Sequence, residues 1–437
     1  MRVSQWFGLF NFVTASTIKR TGLGLLLLGC LWSISIARSA SIPPASPESA
    51  GMSSQRLEQM DKAIQAEIDS GNVAGMVVAI SRHGRLVHNR AYGYADVEKG
   101  VEMRTNHIFR LYSMTKPVAS VALLTLYEKG HFHLSDPLDK YIPEFANLKV
   151  YAGKDEQGNV KLEDMKRKPT IQDAFRHTPG LSSGLGRRDV DQLYRDAGLL
   201  HSQLESLAEE IQKLGTVPLA YQPGEQWLYG LGHDVQAYLV EVFSGMRFDE
   251  YCKKAIFEPL GMNDTMFGVP AELKDSFATT YRPGENGSPM VPDNEDSYSR
   301  YTTRPFATIS LSSSTEDYMA FAQMLLNGGE LNGARVLGKK TVELMSQNHL
   351  PAGIAGIAVR DGVPATGYGL GVSVTLNTSA LARLGSVGSF GWGGAATTIF
   401  SIDPEEDMAY VVMAQKMPND TSLLNKVENL IYQAIIE

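Results

Sequence analysis

Residues 109–130 read FRLYSMTKPVASVALLTLYEKG, with a serine at 113, a lysine at 116 and a proline at 117 heading an apolar stretch of helical, amphipathic appearance. Residues three apart share a helix face, so Lys116 can lie against the Ser113 hydroxyl at a helix N-terminus. Free backbone N–H groups there favour a developing oxyanion. The same residues also make an ordinary helix start, with Ser113 as the cap and Lys116 solvated in the first turn. A first-turn lysine opposes the helix dipole, which favours chemistry over capping. Spacing alone does not decide, because Ser16 and Lys19 repeat the SxxK pattern in an N-terminal stretch where catalysis has no place.

The chain has 437 residues, 43% hydrophobic and 20% charged, enough for one large domain or two sharing a core. Its net charge is −8, and residues 1–39 hold only basic charges (Arg2, Lys19, Arg20, Arg38), so the remainder is more acidic still. A nucleic-acid partner is excluded on that ground. Cys30 and Cys252 are the two cysteines, and removal of an N-terminal leader holding Cys30 leaves no internal disulfide. In that leader two cations, Lys19 and Arg20, precede an apolar run from Leu23 to Ile36, and small residues follow before a Pro/Ser-rich stretch. It reads as a secretory signal over 1–39, cleaved after Ser39, with a linker over 40–55. The run is shorter than the roughly 18 to 20 residues of a bilayer span. A lipoprotein-type cleavage at Cys30 in LLGC and a retained N-terminal anchor stay open as alternatives. The expectation is export, periplasmic or secreted, with any membrane attachment through the N-terminus only.

Leu57, Met60, Ile64 and Ile68 recur at helical spacing behind Ser53 and Ser54 and stop before Gly71, predicting a helix. Two β-rich runs flank His83-Gly84, a hairpin signal. Residues 136–170 are charged and broken by prolines, predicting an exposed insertion. From 171 to 260 the pattern is mainly helical, with HTPGLSSG and YQPGEQWLYG as loops. Ser314 followed by Asp317 signals another helix start. GYGLGVSVTL, AATTIFSID and DMAYVVMAQK then read as strands, and a helix closes the chain from about Ser422. Strands at both ends predict one sheet built from the two termini with a helical region inserted.

Rival motifs are present. Gly180-Leu181-Ser182-Ser183-Gly184 fits GxSxG and would make Ser182 a nucleophile, but that elbow needs a preceding strand, and TIQDAFRH reads as helix. His131 and His133 have no third ligand cluster and no HExxH partner, so no metal is expected. Lys213-Leu214-Gly215 ends a helix and precedes Tyr229.

From about Ser46 onward the chain resembles the serine β-lactamase and penicillin-binding-protein superfamily, and within it the family VIII carboxylesterases of class C β-lactamase type. The resemblance is carried by FRLYSMTKP, HTPGL, PGEQWLY, IFEPLGMNDT, YGLGV and FGWGGAATTIFSIDPEED, in that order. It implies an α+β, β-lactamase/DD-peptidase-like fold: an antiparallel sheet of N- and C-terminal strands flanked by helices, plus an inserted mainly helical region. The hydrolase domain would span 56–437, with an α/β part of about 56–110 and 315–437 and a helical part of about 111–314. The resemblance further implies Ser113 as nucleophile, Lys116 as its basic partner and Tyr229 as the second proton-transfer group. Trp392-Gly393-Gly394 stand where lactamases carry Lys-Thr-Gly on the edge strand. The backbone N–H groups of Ser113 and Ala395 would form the oxyanion hole, with Tyr112, Trp392, Gly393 and Gly394 contacting substrate. Two departures point to neutral esters: Tyr229-Gly230-Leu231 replaces Tyr-x-Asn, and Trp392 cannot hold a substrate carboxylate. ATISLSSS at 307–314 also lacks the glycine-rich run common there. The implied partner is a small ester, without cofactor, metal or nucleic acid; β-lactam or D-alanyl-peptide hydrolysis, acyl transfer and a catalytically idle binding protein are the rivals.

Such chemistry faces an energetic demand. Free lysine (about 10.4) and tyrosine (about 10) are both protonated at neutral pH, and lowering either by about three units costs about 4 kcal/mol. Lys116 and Tyr229 are therefore expected to titrate as a pair.

Overall fold

The computed structural model describes residues 42–199, 204–268, 270–284, 290–293 and 304–437, all within one compact unit, Arg38–Glu437. The signal expected over 1–39, with Cys30 and the Ser16/Lys19 repeat, lies outside the described residues. Among those described, no helix is long and apolar enough to cross a membrane.

A nine-stranded antiparallel sheet organises the chain. Its strands are β1 (Gly75–Arg82), β2 (Arg85–Asp96), β3 (Val101–Glu102), β4 (Ala358–Arg360), β5 (Val363–Tyr368), β6 (Ser373–Thr375), β7 (Phe390–Gly394), β8 (Thr398–Asp403) and β9 (Met408–Ala414). Their order is β4-β5-β6-β7-β8-β9-β1-β2-β3. The two ends of the chain meet where β9 pairs with β1, Met76 opposite Ala414 and Ile80 opposite Tyr410. His83 and Gly84, at φ 52° and 67°, make the β1–β2 turn, the paired left-handed conformation that a tight hairpin requires.

β1 is buried along its whole length because both sheet faces are covered. Met76, Val78 and Ile80 face α1 (Ser54–Asp69) and the closing helix Thr421–Tyr432, against Leu57, Met60, Ile64, Leu424 and Val427. Val77 and Ala79 face the opposite core, with Met319, Phe321 and Phe400. Each fully buried large aliphatic side chain contributes about 1.5 to 3 kcal/mol, so this strand clamps two layers at once. Ser53 caps α1 by accepting Arg56 N. Residues 42–53, inside the span read as a linker, lie against the body: Ala50 and Met52 are buried, and Met52 bridges Ile435.

Between β3 and β4 the chain is mainly helical, beginning with α2 (Thr115–Glu128). The segment 136–170, expected to be exposed throughout, is so only in its later part: Leu138, Ile142, Phe145 and Leu148 are buried in the core, and the charged stretch folds into a hairpin, Lys149–Lys154 with Val160–Asp164, anchored by buried Val150 beside Leu219. After α3 (Leu207–Leu214) and α4 (Gly232–Ser244), helix α5 (Thr315–Leu326) returns the chain to the sheet.

Ser314 caps α5 through Asp317 N, yet the Asp317 carboxylate does not reach back to close the box. It accepts instead from Asp264 N at 2.7 Å and Thr265 Oγ1 at 2.9 Å. Burial, reinforced by the Asp264 and Glu316 charges, lifts its pKa to about 7 against those two hydrogen bonds. From the free value of about 3.9 up to about 7 the folded state binds the extra proton, so Asp317 lowers stability as pH rises through that window. Asp317→Asn should therefore raise the melting temperature relative to wild type more at about pH 8 than at about pH 5; an equal difference at both would show that Asp317 does not titrate there.

Candidate active site

Ser113 sits in a 3-10 turn, Tyr112–Met114, that precedes α2, so it is not the cap of that helix; Met114 holds the cap position without a side-chain bond. Tyr112, half-buried, adopts φ 48°, a left-handed conformation that a bulky residue keeps only when its surroundings impose it. Three contacts do so. Thr115 Oγ1 donates to Tyr112 O at 2.6 Å and accepts Leu311 N at 3.0 Å, while Tyr318 OH donates to Met114 O at 2.8 Å. Helix α2 is not amphipathic: every residue from Thr115 to Leu126 is buried.

Lys116 is accordingly 1% exposed, not a solvated first-turn residue. Its ammonium donates to Thr308 O at 2.8 Å and to Ser113 Oγ at 3.3 Å, and it lies 4.5 Å from the centroid of the Tyr229 ring. Tyr229 OH donates to Ser113 Oγ at 2.7 Å. The three side chains predicted to act together thus converge on one oxygen. Tyr229 is held by its loop: Leu228 N donates to His177 O at 2.8 Å and Gly230 N to His177 Nδ1 at 3.4 Å. Gly230 is needed there, since a Cβ would fall 2.2 Å from Leu181 O.

Trp392 faces the same space, its ring 5.8 Å from Tyr229 and 5.1 Å from Tyr368. The edge-strand placement of this motif needs correction. β7 lies inside the sheet between β6 and β8, but β6 pairs only with Phe390 and Gly391. Trp392, Gly393 and Gly394 consequently have a ladder partner on the β8 side alone, a local edge within an internal strand. Gly394 meets the Ser113 turn closely: a Cβ there would lie 2.2 Å from Leu111 O and 2.3 Å from Thr398 Oγ1. That approach sets Ala395, next in the chain, beside the Ser113 turn.

Sequence reasoning left other neighbours without a role. His177, from HTPGL, packs 4.7 Å from the Tyr229 ring and 4.6 Å from the His233 ring. Burial first, and then the Lys116 charge, push the His177 pKa well below the usual imidazole range; His233 follows from burial, His177 and Lys116. Both rings are neutral at physiological pH. Tyr368, from YGLGV, completes the aromatic wall. Thr308 enters through its carbonyl, an atom that every residue carries and that leaves no mark in a sequence.

The rival motifs fall elsewhere. Ser182 is fully buried, donates to Asp191 Oδ1 at 2.5 Å and accepts Gly184 N, so it is a structural link to the Arg188–Asp191 ion pair. Lys213 ends α3 and pairs with Glu209. His131 and His133 are exposed, and no metal-ligand cluster occurs among the described residues.

The family profile described as Beta-lactamase matches residues 60–433. Protein Rv1367c of Mycobacterium tuberculosis (strain ATCC 25618 / H37Rv) is 29% identical over 381 residues, 83% of this chain and 91% of that one. The Escherichia coli (strain K12) protein named "Putative D-alanyl-D-alanine carboxypeptidase" is 27% identical over 427 residues, 91% of each. Among solved structures, "EstCE1, a hydrolase with promiscuous acyltransferase activity" superposes with a TM-score of 0.73 at 22% identity, covering 86% of this chain and 99% of that one. At that identity the likeness establishes the fold alone.

The Gly394 contact gives a direct check. Backbone oxygen cannot swing aside, so Gly394→Ala should push β7 from the Ser113 turn and slow covalent labelling of Ser113 by a fluorophosphonate by about tenfold or more. Ser182→Ala should label at the wild-type rate. Labelling rates with circular dichroism as the folding control separate the two serines.

Proposed function

This chain belongs to the beta-lactamase family, a superfamily of serine hydrolases, and from that premise we propose that it cleaves neutral carboxylic esters through an acyl-enzyme on Ser113. The observation that carries the reading is the convergence of Tyr229 OH and Lys116 Nζ on Ser113 Oγ beside a wall of Trp392 and Tyr368. Trp392 offers no cation for a substrate carboxylate. Leu231, where an asparagine would reach a lactam side chain, is buried in the core.

In this mechanism Ser113 Oγ attacks the ester carbonyl and its proton passes to the Lys116/Tyr229 pair. Hydroxyl hydrogens rotate, so the 2.7 Å Tyr229–Ser113 contact serves proton transfer in either direction. The Ser113 and Ala395 amides would stabilise the oxyanion. The pair then returns the proton to the departing alcohol. Water, deprotonated by the same pair, frees the acid and restores the serine. His177 and His233, both neutral, add no second cation to compete for the phenolic oxygen. The leader pattern supports export, to the periplasm or beyond.

The name of the Escherichia coli relative favours D-alanyl peptides as a second reading, and the EstCE1 description favours acyl transfer. A short-chain p-nitrophenyl ester should be turned over well above nitrocefin or a D-alanyl-D-alanine peptide, and a peptide preference would replace the ester reading. Ser113→Ala should abolish hydrolysis while the fold persists. Tyr229→Phe should lower turnover by about 10² to 10⁴-fold, the range of a general acid–base contribution; a near-normal rate would leave Tyr229 as a packing residue.

A further inference from the structure

Thr308 is gripped on three sides. Its carbonyl accepts Lys116 Nζ at 2.8 Å. Its amide donates to Asp234 Oδ1 at 3.0 Å and its hydroxyl to Asp234 Oδ2 at 2.8 Å. Asp234 is fully buried in the first turn of α4, which begins directly after the Tyr229 loop. One stretch of chain therefore supplies the phenol that meets Ser113 and the carboxylate that fixes the lysine's acceptor.

We propose that Asp234 is a positioning residue for Lys116: it locks Thr308 so that the carbonyl receives the Lys116 side chain. The inference rests on the reading of Ser113 and Lys116 as the reacting pair. Glu210, on α3, bears on it. Both Glu210 carboxyl oxygens are buried without a hydrogen-bond partner, and burial, then the Asp234 charge, push its pKa well above the carboxylate range. Two adjacent buried carboxyls do not both ionise. Glu210 is the neutral member. The groups facing Lys116 include Ser113, Tyr229 and Thr308, with neutral His177 and His233 behind; those facing Asp234 include Thr308 and Glu210.

Asp234→Asn keeps the shape and removes the charge. Ester hydrolysis by this variant should lose about tenfold to a hundredfold in kcat with little change in KM. Glu210→Gln should leave the rate as in wild type. Thr308→Val, which loses the hydroxyl grip, should slow turnover, and Thr308→Ser should restore it; this pair decides the matter if Asp234→Asn does not fold. A folded Asp234→Asn with wild-type kcat, a kcat lowered as far by Glu210→Gln, or a Thr308→Val that matches wild type would each overturn the inference. Fluorophosphonate labelling of Ser113 in the wild type keeps the two ideas apart: no labelling removes the functional reading itself, whereas normal labelling with an unchanged kcat in Asp234→Asn removes only the role of Asp234.

Discussion

An ammonium withdrawn from water costs several kcal/mol unless lone pairs and aromatic faces replace its hydration. Lys116 is withdrawn almost completely, and the inserted region is arranged around that fact. Its replacements are a carbonyl from residue 308, a hydroxyl from 113 and the face of ring 229. Two of these come from segments distant along the chain, so the lysine is satisfied only when the helical insertion has folded on itself. The full burial of α2 has the same origin, since a lysine in its first turn leaves water only if the helix is covered all round.

A second constraint follows from the first. A buried cation makes every nearby proton harder to add, and His177 and His233 are neutral for this reason as well as for want of water. The pocket thus holds one buried cation amid aromatic rings and neutral imidazoles, surroundings in which each dipole acts more strongly than in water.

The sheet was readable from local pattern. β1 and β9 are continuous apolar runs because each is buried on both faces, and the α1 and α5 starts follow from Ser53 and Ser314. Ser113, Lys116 and Tyr229 were readable because it is their side chains that converge and because they stand in quotable motifs; the comparison of motifs, not their spacing, drew attention to them. What escaped has a physical reason. Thr308 contributes a main-chain oxygen. Asp234 acts through another residue, and a carboxylate at a helix start is ordinary by itself. The internal position of β7 depends on β6, three residues whose pairing stops at Gly391. The charged stretch 149–164 gave no alternation because its second strand is solvated on both faces.

The seam between β1 and β9 also bears on how the protein comes into being. Residues 76 and 414 are neighbours in space but stand near opposite ends of the chain. During synthesis, β1 emerges with one side of its hydrogen-bonding ladder and both apolar faces uncovered, and it stays so until nearly the whole polypeptide has followed. Contacts of such sequence separation form late and leave unpaired strands exposed meanwhile. β7, whose Gly394 closes on the turn before Ser113, is also among the last strands made. A nascent chain therefore carries Ser113, Lys116 and Tyr229 long before the sheet that packs against them can close.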